Sequence, residues 1–202
     1  MNILAFVDMH NSITAYKSVQ SKVSKYNPDV IICAGDFTVF EQHIENMIEK
    51  IDALGKPVLL INGNHEDERV TAKLCSSTKN ITFLHKKDVV INGVRFIGFG
   101  GGGFSPREPE FDSFIKKLKL DNTPIVLITH APPYNTKIDF LHDDHYGNIS
   151  YADFIKSNNN VVLALSGHFH ENFGAMDKLN KAVVANPGPA GLLFEVEVIK
   201  KA

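Results

Sequence analysis

The sequence predicts an α/β protein built as a four-layer α/β/β/α sandwich: two mixed sheets packed face to face, with helices outside. Three observations carry this. Short β-branched runs alternate with stretches of helical period along most of the chain. The early runs are apolar at nearly every position, as in parallel strands covered on both faces. Past the middle the runs draw together into hairpin-like pairs, which calls for a second sheet.

The elements follow in order. Ile3–Val7 reads as a strand, followed by a helix near Ile13–Lys25. Asp29–Ala34 is the next strand, and a helix is expected over Glu41–Leu54. Pro57–Ile61 is a third strand, followed by a short helix near Arg69–Cys75. Val89–Val90 and Val94–Phe99 flank Asn92-Gly93, a dipeptide that tolerates the positive φ of a tight hairpin. A helix is expected at Glu108–Leu118. Pro124–Thr129 and Val161–Leu165 are again short buried strands, with a helix near Tyr151–Ser157 between them. The tail, Phe173–Asp177, Ala182–Ala185 and Leu192–Ile199, reads as an antiparallel meander with turns at Lys178–Lys181 and Pro187–Gly191.

Composition narrows the class. At 202 residues, 44% hydrophobic and 22% charged, residues 1–202 read as one globular domain able to bury a core unaided. The net charge of −2 and the brevity of the lysine spots (Lys86-Lys87; Lys116, Lys117 and Lys119) give no track for long nucleic acid. Two unpatterned cysteines, Cys33 and Cys75, argue against a disulfide framework and fit a reducing cytoplasm. The N-terminal MNILAFVD is too short for a signal core. No apolar run approaches the roughly 20 residues that span a bilayer, so no membrane association is expected. The sequence does not indicate an oligomeric state.

The ionisable residues fall at strand ends. Asp8 and His10 follow the first strand, Asp36 the second, and Asn64 with His65 the third. His130 follows Ile125–Thr129, and His168 with His170 follow Val161–Leu165. Carboxyl ends of strands in open α/β sheets line the ligand crevice. Five segments are thus expected to deliver His, Asp or Asn to the same edge of one sheet. Each segment alone is a weak signal, and their order in one chain is the strong one. Gly167-His168-Phe169-His170 places two imidazoles two residues apart, on one face if the chain is extended there.

Asp8-x-His10, Gly35-Asp36, Gly63-Asn64-His65-Glu66, Thr129-His130 and Gly167-His168-x-His170 resemble the five blocks of the calcineurin-like metallophosphoesterase superfamily. His130-Ala131-Pro132-Pro133, Gly167–Glu171 and Asn186-Pro187-Gly188 further resemble the Icc-related phosphoesterases. The resemblance implies that Asp8, His10 and His170 hold one divalent metal, that Asn64, His130 and His168 hold a second, and that Asp36 bridges both. It also implies that His65 is no ligand but faces the leaving group, acting as an acid or a transition-state stabiliser, with Glu66 or Asp67 as its partner. Such a pair of metals lowers the pKa of a shared water, and the resulting hydroxide attacks phosphorus in line. The N and O donors, without thiolate, suit Mn, Fe, Zn, Co or Ni, and manganese is the expected activator.

The expected reaction is hydrolysis of a small or activated phosphodiester, with a cyclic nucleotide among the candidates. A phosphomonoesterase or a pyrophosphate hydrolase would use the same centre. A non-catalytic scaffold would be expected to have lost ligands, and none is missing here. Other signals carry less. Gly98–Gly103 formally contains G-x-G-x-x-G but lacks the helix a dinucleotide site needs, and reads as a loop at the site rim. His142-Asp143-Asp144-His145 reads as a solvated or substrate-facing loop rather than a third metal site. Tyr134 and Phe104 are open to stacking on a base or another leaving group, or to plain packing. Asn11 either touches phosphate or caps the first helix. His43 and His85 receive no role.

Overall fold

The computed structural model describes residues 1–197. In one sheet β1 (Asn2–Phe6), β2 (Val30–Cys33), β3 (Val58–Leu60) and β4 (Ile81–Phe83) run parallel, and β13 (Leu192–Glu195) joins β1 antiparallel. The second sheet has the order β11 (Met176–Leu179), β12 (Ala182–Ala185), β10 (Val161–Leu165), β7 (Ile125–Thr129), β6 (Val94–Phe99), β5 (Lys87–Ile91). Its four inner strands are parallel and its two edge strands antiparallel. A separate hairpin pairs β8 (Phe140–Leu141) with β9 (Asp144–His145).

Strand alternation builds the four layers. Leu4, Phe6, Ile31, Cys33, Val58 and Leu60 face one way, against α1 (Ile13–Tyr26), α2 (Ile44–Asp52) and α3 (Glu68–Cys75). Ile3, Ala5, Val7, Ile32 and Leu59 face the other way and meet Phe96, Val126, Ile128 and Leu163 of the second sheet. The outer face of that sheet, with Ile97, Phe99, Leu127 and Ala164, is covered by α4 (Pro109–Ile115) and α5 (Ile149–Ser157) through Phe111, Tyr151 and Phe154. Side chains of period two on a sheet with both faces covered give such continuous apolar runs.

Local chemistry sets the boundaries. Ser12 caps α1, accepting from Ala15 N–H, and Asn27 ends it in the left-handed region. The helix expected from Glu41 begins only at Ile44, because Phe40, Glu41 and His43 take positive φ and break the first turn. Pro109 opens α4, which ends at Ile115 rather than Leu118. Asn92 and Gly93 both take positive φ, as a two-residue hairpin turn requires.

The tail corrects the expected meander. β11 and β12 form a hairpin, but β12 also lies parallel to β10, and the last strand leaves the sheet altogether. After Gly188 and Gly191, both at positive φ, the chain crosses to the first sheet and covers the open edge of β1. Residues 198–199 of the expected third segment lie outside the described residues. Several short elements were not foreseen: β4, three residues long, the β8–β9 hairpin, two residues a side, and a 3-10 turn at His170–Asn172.

Candidate metal centre

The strand ends do converge, but from both sheets rather than one. Asp8, Asp36 and Asn64 follow β1, β2 and β3, whereas His130 and His168 follow β7 and β10 of the second sheet. The parallel strands of both sheets end at the same rim of the sandwich, so the site straddles the seam. Its backbone is unusual: Asp8, His10, Asn11, Asp36 and His168 all have φ between 45° and 68°. Non-glycine residues in this region gather at functional sites, where surrounding structure holds them.

Asp36 sits at the middle of the donors. Its Oδ2 lies 3.3 Å from His130 Nε2, 3.8 Å from His10 Nε2 and 3.8 Å from His65 Nε2. Its Oδ1 accepts from His65 N–H at 2.9 Å. On one flank His10 Nε2 stands 3.2 Å from His170 Nε2, and Asp8 Oδ1 is 3.9 Å from the same nitrogen. On the other flank His130 Nε2 stands 3.0 Å from Asn64 Oδ1, and the His168 ring lies 5.3 Å from the His130 ring. The structure thus brings all seven expected ligands together. His168 and His170 do not share an extended face, however. His168 has φ 68° and His170 begins a 3-10 turn, so the two imidazoles go to opposite flanks.

Close packing of backbone makes room for the carboxylates. A Cβ at Gly63 would overlap the Asp36 carboxylate, and one at Gly167 would overlap Asp8 and Val7. Glu66 is buried behind them. It accepts from the N–H groups of Asp36 (3.0 Å), Gly63 (2.9 Å) and Thr38 (2.9 Å), and from the Thr38 hydroxyl (2.8 Å). One side chain therefore ties the loop after β2 to the loop after β3.

The lone pairs of the donor set fit a pair of cations. His10 Nδ1 lies 2.9 Å from Thr38 O, and His130 Nδ1 lies 3.0 Å from Ala34 O. A carbonyl only accepts, so each Nδ1 carries the hydrogen and each Nε2 of the neutral ring turns a lone pair inward. This is how metal-binding histidines are held. Lone pairs of His130, Asn64 and Asp36 then face one another, and that of His10 Nε2 faces His170 Nε2. Acceptors crowded so closely need positive charge among them. Asp8 Oδ1 and His168 Nε2 are also buried with no hydrogen-bond partner among the described residues. Asp8/His10/His170, His10/Asp36/His65 and Asp8/Asp36/His130 each place their donor atoms within 4.8 Å of one another.

The metal-free chain answers this crowding with protons. Burial disfavours a charged His130, but contact with Asp36, helped by Asp8, outweighs it and lifts the imidazole to about 9. Burial pushes Asp36 up, yet His130 and the His65 N–H more than offset it, leaving the carboxyl at about 2. Burial raises Asp8 to about 6. Burial, with His130 nearby, lowers His168 to about 4.

His65 differs from the expected ligands. Its Nδ1 receives the Phe40 N–H at 3.3 Å, so the neutral ring carries its hydrogen on Nε2, toward Asp36 and the site. Phe40 stacks on it with ring centres 4.2 Å apart. Burial keeps its pKa below the ordinary histidine value. Neither expected partner serves it: Glu66 braces backbone, and Asp67 caps α3 through Arg69 N–H and Val70 N–H. Phe40 and Thr38 had no signal in the sequence. Glu66 did, as a carboxylate inside a turn rich in backbone N–H groups. Asn11 is not the cap of α1; its Nδ2 donates to Gln42 O at 2.9 Å. His85 is buried, 2.9 Å from Glu68 Oε2, and its Nδ1 receives Gly100 N–H at 2.8 Å, anchoring the glycine loop. That loop forms part of the rim, with Gly103 beside the His168 ring.

A profile of the calcineurin-like phosphoesterase family matches residues 1–172. The chain belongs to this family, whose members are hydrolases acting on phosphate esters with divalent metals. It is 32% identical over 204 residues to the uncharacterized protein MJ1162 of Methanocaldococcus jannaschii, across 94% of this chain and 88% of that one. It is 25% identical over 170 residues to a probable cyclic nucleotide phosphodiesterase of Synechococcus, across 77% of this chain and 63% of that one. The solved structure of TT1561 from Thermus thermophilus superposes with a TM-score of 0.76 at 16% identity, covering 94% of this chain and 89% of that one.

Proposed function

We propose that this chain hydrolyses small phosphodiesters at a centre of two divalent metal ions. Asp8, His10 and His170 would hold one ion, Asn64, His130 and His168 the other, with Asp36 shared between them. The observation that carries this reading is the ring of inward lone pairs around Asp36 Oδ2. Bound there, the cations supply charge that stabilises phosphoryl oxygens and makes water more acidic. Asp8 and Asp36 contribute two negative charges, so the loaded site stays positive and attracts an anionic ester. Thr38 O and Ala34 O hold His10 and His130 in register. His65 Nε2–H donates to the departing oxygen or to a phosphoryl oxygen, and the Phe40 N–H at Nδ1 keeps that hydrogen pointing inward. Manganese is the ion we expect to activate the chain. We place it in the cytoplasm on its buried free thiols, Cys33 and Cys75. No helix among the described residues is long and apolar enough to cross a membrane.

The test is a metal-stripped preparation titrated with manganese and assayed on bis-p-nitrophenyl phosphate and p-nitrophenyl phosphate. Two ions per chain at saturation, with faster turnover of the diester, are expected. Saturation at one ion would remove the shared role of Asp36, and preference for the monoester would remove the diester assignment.

A further inference from the structure

Of Asp8, His10 and His170, proposed to hold one ion, His170 is the least secured. Its side chain is 50% exposed, against 0% for Asp8 and 20% for His10. Backbone carbonyls hold Nδ1 of His10 and Nδ1 of His130. No group among the described residues bonds Nδ1 of His170. Its ring rests on Phe173, itself exposed, with ring centres 5.0 Å apart. The place of this donor therefore depends on the backbone turn that carries it.

That turn is short, His170–Asn172, and Asn172 fastens it to a second element. Asn172 Nδ2 donates to Ile138 O at 3.1 Å and to Phe140 O at 3.1 Å. Both partners are carbonyls, so the amide must present its NH2 group, and each of the two hydrogens finds an acceptor. The two carbonyls flank Asp139, which fixes the β8–β9 hairpin from beneath. The buried Asp139 carboxylate accepts from the N–H groups of Asn135 (3.0 Å), Thr136 (2.7 Å) and Gly147 (2.9 Å), and from His145 Nδ1 (2.8 Å). A buried carboxylate with so many donors cannot shift without leaving several of them unpaired. The exposed ligand turn is thus tied to a rigid hub. Hairpin and ligand also share a cavity of about 450 Å³, whose lining includes Leu141, His142, Tyr146 and His170. Movement of the hairpin is therefore movement of a wall beside the centre.

We propose that Asn172 is a positioning residue that couples the β8–β9 hairpin to the cation site at His170. An ordered hairpin strengthens the hold on that ion, and the ion in turn orders the hairpin. The coupling is reciprocal, as free-energy linkage between two sites requires. It rests on the two-metal reading of the centre.

Calorimetric titration of the metal-free protein with manganese, together with hydrogen exchange of residues 138–146 read by mass spectrometry, tests both directions. Asn172→Ala removes both hydrogen bonds, and Asn172→Asp keeps the shape but cannot donate. His170→Ala identifies the ion that depends on His170. Each Asn172 variant should weaken that same ion about tenfold, inside the roughly 5–150-fold range of such couplings, and leave the other at native affinity. Manganese should slow exchange in the hairpin of the native chain and should not in Asn172→Ala. A purely structural tie would loosen the hairpin without choosing between the ions. Circular dichroism checks that the variants fold. Native affinity for both ions in the Asn172 variants, equal weakening of both, or full manganese protection of the hairpin in Asn172→Ala would overturn the coupling alone. A native chain that takes up no manganese refutes the two-metal reading itself and, with it, the coupling.

Discussion

Replacing Glu66 by glutamine removes a charge and keeps the volume. In the native chain Oε2 serves the N–H groups of Asp36 and Gly63, and Oε1 serves the N–H and hydroxyl of Thr38. A glutamine amide has one acceptor oxygen, so its NH2 must face one of these pairs. The Thr38 side is the cheaper choice, because the hydroxyl can turn and accept. The Thr38 N–H is then left opposed to another donor. One hydrogen bond to a charged acceptor is lost, about 1.5–3 kcal/mol, and the two at the remaining oxygen fall to neutral strength, about 1 kcal/mol each. Burial raises the pKa of Glu66, so removing its charge returns part of that sum. The net expectation is a loss of about 2–3 kcal/mol. Urea unfolding of the metal-free protein measures it through the midpoint at unchanged slope. Because the same side chain holds Asp36 N–H, manganese affinity should fall as well. A variant with native midpoint and native affinity would refute the idea that Glu66 ties the two loops.

Four further outcomes follow from the same geometry. His65→Ala should keep its metal content and lose most of its turnover; native-like kcat would remove His65 from the chemistry. His130, held up to about 9, carries a proton at neutral pH in the metal-free chain, and a cation must displace it. Metal affinity should therefore rise with pH, and calorimetric titration in buffers of different ionisation enthalpy should show proton release; a buffer-independent enthalpy at pH 7 contradicts this. Without metal, that raised pKa stabilises the fold below about 6.5, and the contribution fades as pH climbs through about 9. Gly167→Ala drives a methyl into Val7 and the Asp8 carboxylate, and should destabilise by about 1–3 kcal/mol while weakening metal binding; a native stability and metal content would mean the strand end yields easily.

Much of the fold was legible because burial imposes a simple rule on strands. Ile3–Val7, Pro124–Thr129 and Val161–Leu165 are apolar on both faces, and each is found between a helix layer and the other sheet. What failed was partner choice. Leu192–Glu195 has the composition of any edge strand, and nothing local says that it pairs with β1 rather than β12. That choice follows from the path through Gly188 and Gly191, and from an open edge on β1 that only the assembled sheet reveals. The short β4 and the β8–β9 hairpin escaped for a related reason: two or three residues give no periodicity to read.

The site divides in the same way. Residue types at strand ends were readable, and all seven donors meet at one rim. The atoms that orient them were not readable, because they are backbone. Thr38 O, Ala34 O and the Phe40 N–H decide which nitrogen of His10, His130 and His65 carries hydrogen. Any residue could supply those groups, so no motif marks them. Yet they separate His65 from its neighbours. A carbonyl at Nδ1 leaves a bare Nε2 that seeks a cation, whereas an N–H at Nδ1 leaves an Nε2–H that seeks an oxygen. His10 and His130 have the first arrangement and His65 the second. The proposed distinction between ligand and proton donor therefore rests on the backbone group behind each ring, and on the left-handed turns at His10, Asp36 and Phe40 that bring those groups into place.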